Sequence, residues 1–433
     1  MNRTIGVGLI GFGTIGEGTV RLLLRHPSPL LAAEDLDIRL VKIADLDITR
    51  PRSVSLDQRL LTTDAEEIIQ HDQVDIVVEL TGSREAKDLI LRALRSGKSV
   101  VTAHKALISE HGGELFQAAH ENGVDLMFEA SVAGGVPIIR SLRKGLLANE
   151  FVSVHGILNG TTNYILTQMT RGEGNFEEIL QVAQERGYAE PDPTMDISGV
   201  DAAQKLSILS RITFRTTFCH KDIFCEGIQK IGSQDIDYAR ELGYTIKLLA
   251  ISKKARRGIE ARVHPAMIPS DSLMANINDE FNAIEVVGDA VGTQVFYGKG
   301  AGAMPTASAI LSDIVALAEW KASGTEPTVG QLIVSGDEPT LIPMEEVEIR
   351  YYLRFLVLDQ PGVLAQIARI LAVHRISIAS VIQKGRSLQE GGTVPLVMMT
   401  HEAKERNMGA AVAEIDKLPE VREGTRLIRV EEL

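Results

Sequence analysis

A short apolar strand that leads directly into a glycine-rich turn constrains the fold of this chain more than any other feature. Residues 5–10 are apolar or glycine and are followed by Gly11-Phe-Gly-Thr-Ile-Gly16 and a helical pattern. Gly11 permits the tight turn, Gly13 lets backbone N–H groups approach a pyrophosphate, and Gly16 lets helix and strand pack closely. We therefore expect a dinucleotide site lined by Gly11, Phe12, Gly13, Thr14, Ile15 and Gly16.

Three further apolar stretches predict that the glycine-rich turn belongs to an α/β domain of the Rossmann type. They are Ile38–Ala44, Val74–Leu80 and Ser99–Thr102, and helical segments separate them. Ligands bind beyond the carboxyl ends of such strands. Thr81 and Lys105 follow two of these ends, so both are candidate cofactor-binding residues, with Lys105 beside the nicotinamide. A solvated lysine at the start of a helix is the alternative.

The residues after the second strand leave the choice between NAD and NADP open. Asp45 closes that strand, where a carboxylate usually binds the ribose 2′-hydroxyl and favours NAD. Arg50 and Arg52 follow within reach of a 2′-phosphate, although the same residues also suit a solvated turn.

An acidic segment in the middle of the chain ends in a helix that carries a lysine. Glu190 lies in a run rich in Gly, Pro and Asp, and Asp201 and Lys205 are an i,i+4 pair on the helix that follows. The pattern indicates a site for a small substrate that bears an amino group. An exposed ion pair on a helix surface is the alternative.

Composition excludes several classes of protein. The 433 residues allow two or three domains, and the formal charge of −13 without a basic run argues against nucleic acid as a partner. The sequence has no long apolar run or secretory leader, so we expect no membrane association and a cytoplasmic protein. Cys219 and Cys225 lack the spacing of a disulfide framework or a zinc site.

Two small-residue segments are candidates for further binding roles. In Glu129–Pro137 one carboxylate and several backbone carbonyls form a suitable ligand set for a hard cation, although an ordinary loop is the alternative. Gly298–Ser308 leads into a helix, and we expect this glycine-rich stretch to return the chain to the cofactor.

The C-terminal part changes to a βαββαβ pattern of the size of a small domain. The predicted strands are Arg350–Val357, Ser377–Gln383, Val394–Thr400 and Arg422–Val430, and the predicted helices are Val363–His374 and Ala403–Lys417. Asp359-Gln-Pro-Gly362 lies where a helix N-terminus can meet a carboxylate ligand, or where it is simply capped. We expect the tail to be a separate module that can be cut off near Glu338.

These motifs together resemble homoserine dehydrogenase, and the resemblance covers essentially the whole chain. Gly11–Gly16, Glu129–Pro137, Gly156–Leu166, Gly187–Leu209 and Gly298–Ile314 carry it, and the tail from Leu353 looks like an ACT domain. The resemblance implies a nucleotide-binding domain over 1–134, a catalytic and dimerisation domain over 135–300, a return segment over 301–340 and an ACT domain over 348–433. It also implies a monofunctional enzyme, without an aspartokinase half.

The resemblance implies NAD(P)H-dependent reduction of L-aspartate 4-semialdehyde to L-homoserine, on the route to threonine, methionine and isoleucine. Lys205 would exchange the proton at the substrate oxygen, Asp201 and Glu190 would hold the substrate, and Gly187 and Gly302 would approach the cofactor. A nearby ammonium group stabilises the charge that develops on the aldehyde oxygen.

The resemblance has three further implications. It implies a structural sodium ion, a homo-oligomer such as a dimer, and feedback by an amino acid such as threonine. Glu129 and the carbonyls of Val132, Gly134 and Val136 match the family's sodium site. Two residues depart from the family pattern. They are His104, where Asn is usual, and Ala44, where NADP-preferring members often have Arg, so the cofactor stays undecided.

Two other readings remain. An aspartate-semialdehyde dehydrogenase also has a Rossmann half but needs an activated cysteine, and neither Cys219 nor Cys225 lies in an electropositive, glycine-rich context. An amino-acid sensor built on an inactive dehydrogenase is the second, and the intact lysine and carboxylates argue against it.

Overall fold

The computed structural model describes residues 4–25, 36–83, 85–324, 327–334, 336, 338–385 and 392–433. The chain divides into two compact units, and each is discontinuous in sequence. The first comprises Met1–Val152, Gln204–Asp222 and Asn282–Pro339, and the second comprises Ser153–Ala203, Ile223–Phe281 and Thr340–Leu433. Among the described helices, none is both long and apolar enough to cross a bilayer.

The N-terminal part alternates strands and helices, as the apolar stretches predict. Its elements are β1 (Thr4–Ile10), α1 (Thr14–Leu24), β2 (Asp37–Ala44), β3 (Leu61–Thr62), α2 (Glu66–Ile69), β4 (Ile76–Glu79), α3 (Ala86–Arg95), β5 (Ser99–Thr102), α4 (Lys105–Glu121) and β6 (Leu126–Met127). The six strands pair in parallel in the order β3-β2-β1-β4-β5-β6. The order reverses between β1 and β4, and open α/β sheets bind ligands at such a reversal.

The middle of the chain contains the helix with the predicted acid–lysine pair. Its elements are α5 (Ile138–Arg140), β7 (Phe151–Ile157), α6 (Gly160–Arg171), α7 (Phe176–Glu185), α8 (Thr194–Ile197), α9 (Val200–Phe214), β8 (Phe224–Cys225), α10 (Ser233–Glu241), β9 (Tyr244–Ala255), β10 (Gly258–Pro269), β11 (Phe281–Gly288), β12 (Gly292–Lys299) and α11 (Ala303–Ser323). Helix α11 packs its buried face, which includes Ile310, Ile314 and Leu317, into the same apolar core as β1 and β4.

The tail has the predicted βαββαβ order with an additional short strand. Its elements are β13 (Glu348–Leu358), α12 (Val363–Val373), β14 (Ile378–Gln383), β15 (Thr393–Thr400), β16 (Ala403–Lys404), α13 (Glu405–Ile415) and β17 (Arg426–Val430). Several predicted boundaries were wrong. The first strand begins at Glu348 rather than Arg350. The second helix begins at Glu405, because Ala403 and Lys404 pair with β13, and ends at Ile415 rather than Lys417. The last strand begins at Arg426 rather than Arg422.

The tail shares one sheet with the rest of the second unit. Within this unit the strands follow the order β7-β9-β10-β17-β13-β15-β14. The connection is parallel pairing of β17 with β10, where Ala266 lies opposite Arg429 and Met267 lies opposite Val430. The expectation of a module that is structurally separate is therefore wrong, because cutting the chain near Glu338 removes the strand beside β10.

Candidate active site

The glycine-rich turn has the backbone geometry of a pyrophosphate cradle. Gly11 has a φ of +100°, and a Cβ atom there would lie 2.6 Å from the carbonyl carbon of Leu80. A Cβ atom at Gly16 would lie 2.2 Å from the Gly11 oxygen, whereas one at Gly13 would meet nothing within 4 Å. Close packing thus requires glycine at two positions, and the third faces open space at the N-terminus of α1. These residues fit a dinucleotide phosphate.

A pocket of about 140 Å³ lies beside this turn and is also lined by the start of α11. Its lining residues are Phe12, Gly13, Thr14, Glu17, Gly18, Arg21, Arg50, Arg52, Ala303 and Met304. Gly302, with a φ of +119°, precedes the two residues from α11 and forms the N-cap of that helix. The structure therefore brings the segment after Gly302 to the glycine-rich turn.

Asp45, the predicted ribose ligand, is tied to the glycine-rich turn. Its carboxylate accepts hydrogen bonds from the backbone N–H of Phe12 (2.5 Å) and of Asp47 (2.9 Å). The Arg52 guanidinium lies 4.4 Å from the centre of the Phe12 ring and donates to the Phe12 carbonyl. Asp45 and Arg52 thus both stabilise the turn through hydrogen bonds to the backbone of Phe12.

A buried acid that the sequence analysis missed organises the ends of β4 and β5. Glu79 is 1 % exposed, and its two carboxylate oxygens accept hydrogen bonds from the Thr81 hydroxyl (2.7 Å) and the Thr102 hydroxyl (2.8 Å). The backbone N–H of Thr81 also donates to it. His104 then caps α4 through its ring, so that Lys105 is the first residue of this helix. The sequence does contain a signal for Glu79, because a glutamate at the end of an apolar strand is unusual there unless it has a partner.

The acidic segment of the second unit is a hydrogen-bonded cluster. The Asn159 amide donates to Asp196 (2.7 Å) and to Asp201 (2.9 Å), and the Thr161 hydroxyl donates to Asp196 (2.9 Å). Asp201 is only 6 % exposed, which excludes a solvated surface position for this carboxylate. Asn159, Thr161 and Asp196 were not among the predicted site residues, because their proximity to Asp201 depends on long-range packing.

Helix α9 carries Asp201 in its first turn and Lys205 one turn later, and Lys205 is partly exposed. Glu190 is exposed between α7 and α8. Gly187 has a φ of +74° at the end of α7, where the next residue, Tyr188, donates its N–H back to Ala183. A left-handed helix end therefore explains the glycine independently of any ligand.

The carboxylate of Glu129 caps α5. Its oxygens accept hydrogen bonds from the backbone N–H groups of Ile139 (2.8 Å) and Arg140 (2.7 Å), and burial raises its pKa. The backbone N–H of Glu129 donates to Asp313 (2.8 Å), whose pKa burial raises to about 7.

The carbonyls of the predicted cation loop are partly engaged. The Glu129 carbonyl accepts from Val132 (3.4 Å), and the Val136 carbonyl accepts from Ile138 (2.8 Å). Gly134 has a φ of +50° and packs against the backbone of Gly300. The described residues contain no cluster of three or more His, Cys, Asp or Glu that could hold a metal. The loop therefore offers carbonyl oxygens rather than a set of acidic side chains.

Cys225 lacks the environment of an activated nucleophile. Both thiols are free, and that of Cys225 donates to the Ser198 carbonyl. Burial raises the pKa of Cys225 to about 11. Because a reactive thiol requires a lowered pKa, Cys225 cannot support the acyl chemistry of an aspartate-semialdehyde dehydrogenase.

Known proteins similar to this chain have the activity that the site residues described above indicate. The family models described as homoserine dehydrogenase NAD binding domain, homoserine dehydrogenase and ACT domain match residues 11–129, 137–315 and 351–420. Homoserine dehydrogenases of Neisseria gonorrhoeae and Pseudomonas aeruginosa are 40 % and 41 % identical to this chain. The alignments cover all of this chain, with 99 % and 100 % of those proteins.

A solved structure extends the agreement to three dimensions. The crystal structure of a homoserine dehydrogenase from Thiobacillus denitrificans superimposes with a TM-score of 0.92 at 41 % identity and covers 99 % of both chains. This confirms the α/β fold class with Rossmann-type, catalytic and ACT domains. The NAD binding, homoserine dehydrogenase and ACT models match this chain one after the other, and the chain belongs to the homoserine dehydrogenase family.

Proposed function

We propose that the chain interconverts L-aspartate 4-semialdehyde and L-homoserine, with Lys205 exchanging the proton at the substrate oxygen. The observation that carries this proposal is the cluster that holds Asp201 buried one helical turn before Lys205. A fixed Asp201 orients the N-terminal turn of α9 and provides negative charge for the substrate's amino group. The nicotinamide supplies or accepts the hydride when bound.

Asp196, Glu190 and Lys105 complete the proposed substrate machinery. Asp196 is fixed by Asn159 and Thr161, so its position needs no reorganisation when an ammonium group arrives. Glu190 is exposed on the preceding segment and can approach the same amino group. Lys105 starts a helix at the carboxyl end of the parallel sheet, where it can lie beside the reacting carbonyl.

We further propose that the chain prefers NADPH. Arg21, Arg50 and Arg52 line the pocket beside the glycine-rich turn. Arg21 pairs with Glu17 and Arg52 donates to backbone carbonyls, so Arg50 is the candidate ligand of a 2′-phosphate. Asp45 is engaged by the backbone N–H groups of Phe12 and Asp47, which leaves it poorly suited to receive a ribose 2′-hydroxyl. Parallel measurements of kcat/KM with NADPH and NADH test this preference. A higher value with NADH would contradict it.

A series of contacts connects the ACT domain to the segment that carries the acidic cluster, and this series could transmit the binding of an amino acid. Arg429 of β17 donates to Glu226 (2.6 Å), and the adjacent Cys225 thiol contacts the carbonyl of Ser198. A Cβ atom at Gly227 would lie 2.1 Å from the Ile197 carbonyl oxygen, so this segment packs closely against the end of α8. We propose that a ligand such as threonine acts by shifting β17. We also propose, from the family resemblance, that the 129–136 loop binds a sodium ion and that the chain forms a homodimer.

Steady-state homoserine oxidation with NADP+ and NAD+ tests the proposed activity. Lys205→Ala should lower kcat by about 10²-fold or more in both directions, while cofactor affinity stays near its original value. Lys221→Ala is a matched control, since Lys221 is an exposed lysine paired with Glu110. Near-normal turnover of Lys205→Ala would refute the assignment. Absence of turnover in the original protein would favour the inactive amino-acid sensor.

A further inference from the structure

Helix α4 and the part of α9 from Gln204 onward pack against each other within the first unit. The Ser207 hydroxyl of α9 lies 2.7 Å from the Ser109 hydroxyl of α4. Further along both helices, the Arg211 guanidinium of α9 lies 5.8 Å from the centre of the Phe116 ring of α4. The contacts advance in the same direction along the two helices, so α4 and α9 run parallel with their N-termini at the same end.

This packing places Lys105 and Lys205 at the same end of the helix pair. Lys105 lies one turn before Ser109 and on the same face of α4, because residues four positions apart align on a helix. Level with it on α9 is the turn before Ser207, which includes Lys205. Both lysines are partly exposed, whereas Ser109 and Ser207 are only 4 % and 2 % exposed. The buried serine pair therefore fixes the helices that carry the two lysines.

The serine pair belongs to a longer chain of hydrogen bonds. The Ser109 oxygen accepts the backbone N–H of His220 (3.2 Å), and the Nδ1 atom of that histidine lies 3.1 Å from the same oxygen. The other ring nitrogen, Nε2, lies 3.6 Å from Glu110, which favours the tautomer with the proton on Nε2. Burial lowers the pKa of His220, so the ring is neutral at pH 7. Nδ1 is then an acceptor for Ser109, and Ser109 is an acceptor for Ser207.

This arrangement uses the full hydrogen-bonding capacity of the Ser109 hydroxyl. Its proton goes to the His220 ring, and its two lone pairs accept from the His220 N–H and from Ser207. The hydroxyl therefore has a fixed direction, and hydrogen bonds weaken steeply when their length or angle changes. Apolar contacts do not depend on direction in this way. The serine pair thus opposes a slide of α9 along α4 more sharply than apolar side chains would.

We propose that Ser109 and Ser207, with His220 behind them, are positioning residues that hold Lys205 in place relative to Lys105. The inference rests on the proposed function, because it concerns the two lysines assigned to the reacting carbonyl. The serines are buried and act through the helices, so their loss should change turnover rather than binding of the dinucleotide. The glycine-rich turn that fits the dinucleotide phosphate lies on α1, not on α4 or α9.

Steady-state homoserine oxidation by the full-length protein tests this role. Ser109→Ala and Ser207→Ala should each lower kcat by about fivefold or more, because misplacement of a reacting group by about 1 Å can cost about 10²-fold. The KM for the dinucleotide should change by less than about twofold in either variant, and the double variant should lose no more than the more impaired single one, since both remove the same bond. Unchanged kcat in both serine variants would overturn the proposal.

Thr213→Val is the matched control on the same helix. The Thr213 hydroxyl donates to the Leu209 carbonyl of α9 itself (2.9 Å), so its removal leaves the contact with α4 intact and should leave kcat unchanged. Ser109→Ala is also a mild change, because the Ser207 hydroxyl keeps an acceptor in the Gln204 carbonyl 2.8 Å away. An equal loss of kcat in Thr213→Val and the serine variants would overturn the proposal.

Two comparisons separate positioning from general destabilisation. In a chain that already carries Lys205→Ala, Ser207→Ala should lower the remaining kcat by less than about twofold, because the lysine that it positions is absent. His220→Asn, whose amide oxygen can replace Nδ1 as an acceptor, should stay within about twofold of the original kcat, whereas His220→Leu should lower it as Ser109→Ala does. A full loss in the Lys205→Ala chain, or equal losses in the two His220 variants, would overturn the proposal.

The same assay distinguishes this role from the proposed function. If the original protein oxidises homoserine and Lys205→Ala is impaired while the serine variants are normal, only the positioning role is refuted. If the original protein has no turnover, the proposed function fails and the positioning role fails with it. Circular dichroism at the assay temperature checks the folding of each variant, and the two His220 variants decide the question if a serine variant does not fold.

Discussion

Replacing Glu431 with Gln tests whether a buried ion pair fastens the C-terminal tail to the sheet of the second unit. The Glu431 carboxylate accepts from Arg262 Nε (3.1 Å) and Nη2 (2.5 Å), and Arg262 is fully buried. The remaining nitrogen of Arg262 donates to Glu260 (2.6 Å). His264 adds no charge at neutral pH, because burial holds its pKa well below the usual range. Glu431 is thus one of two anions that compensate a buried cation.

The expected loss of stability follows from this environment. Removing one partner of a buried pair costs about 3–5 kcal/mol. Gln keeps an oxygen acceptor in place and Glu260 keeps part of the charge compensation, so we expect about 2–3 kcal/mol for Glu431→Gln. The adjacent Glu432 provides a matched control. Its side chain is 68 % exposed in an ion pair with Arg350, so Glu432→Gln should cost less than about 1 kcal/mol.

Urea unfolding of the full-length chain, followed by far-ultraviolet circular dichroism, measures both variants without adding salt. Glu431→Gln should shift the unfolding midpoint clearly further than Glu432→Gln does. Because the chain has two compact units, the midpoints of separate transitions should be compared if more than one is resolved. Equal shifts in the two variants would refute the reasoning that burial, rather than the number of ion pairs, sets the cost.

Three further predictions address the cradle, a buried lysine and a thiol. Gly16→Ala should raise the KM for the dinucleotide and lower stability, since its methyl group would approach the Gly11 carbonyl; an unchanged KM would contradict the cradle. Burial lowers the pKa of Lys247 to about 8, so the folded protein loses this proton before the unfolded chain does. The free energy of unfolding relative to Lys247→Met should therefore rise between pH 8 and 10.5, by roughly 3 kcal/mol, and urea midpoints with a constant difference would refute this. Cys225→Ser should retain activity, and the original protein should remain active after iodoacetamide treatment at pH 8; inactivation that the variant escapes would implicate the thiol.

Local patterns in the sequence determined the elements that carry the chemistry. The strand–glycine–helix order around Gly11–Gly16, the helical pair Asp201 and Lys205, and the βαββαβ order of the tail all depend on neighbours within a few residues. Glycine conformation and hydrophobic periodicity act at that range, so these features can be read without the tertiary structure. The family resemblance then added the expected reaction and the role of each residue.

Only the tertiary structure decided which distant residues meet. Asp196 and Asp201 share the amide of Asn159, Glu79 joins the ends of two strands, and β17 pairs with β10. The sequence analysis missed these contacts and treated the tail as separable, because pairing between residues far apart in the chain leaves no local pattern. Burial is decided at the same level. It makes the pairing of Arg262 with Glu431 a strong link between the tail and the sheet, since the cost of an unpaired charge depends on the surrounding packing.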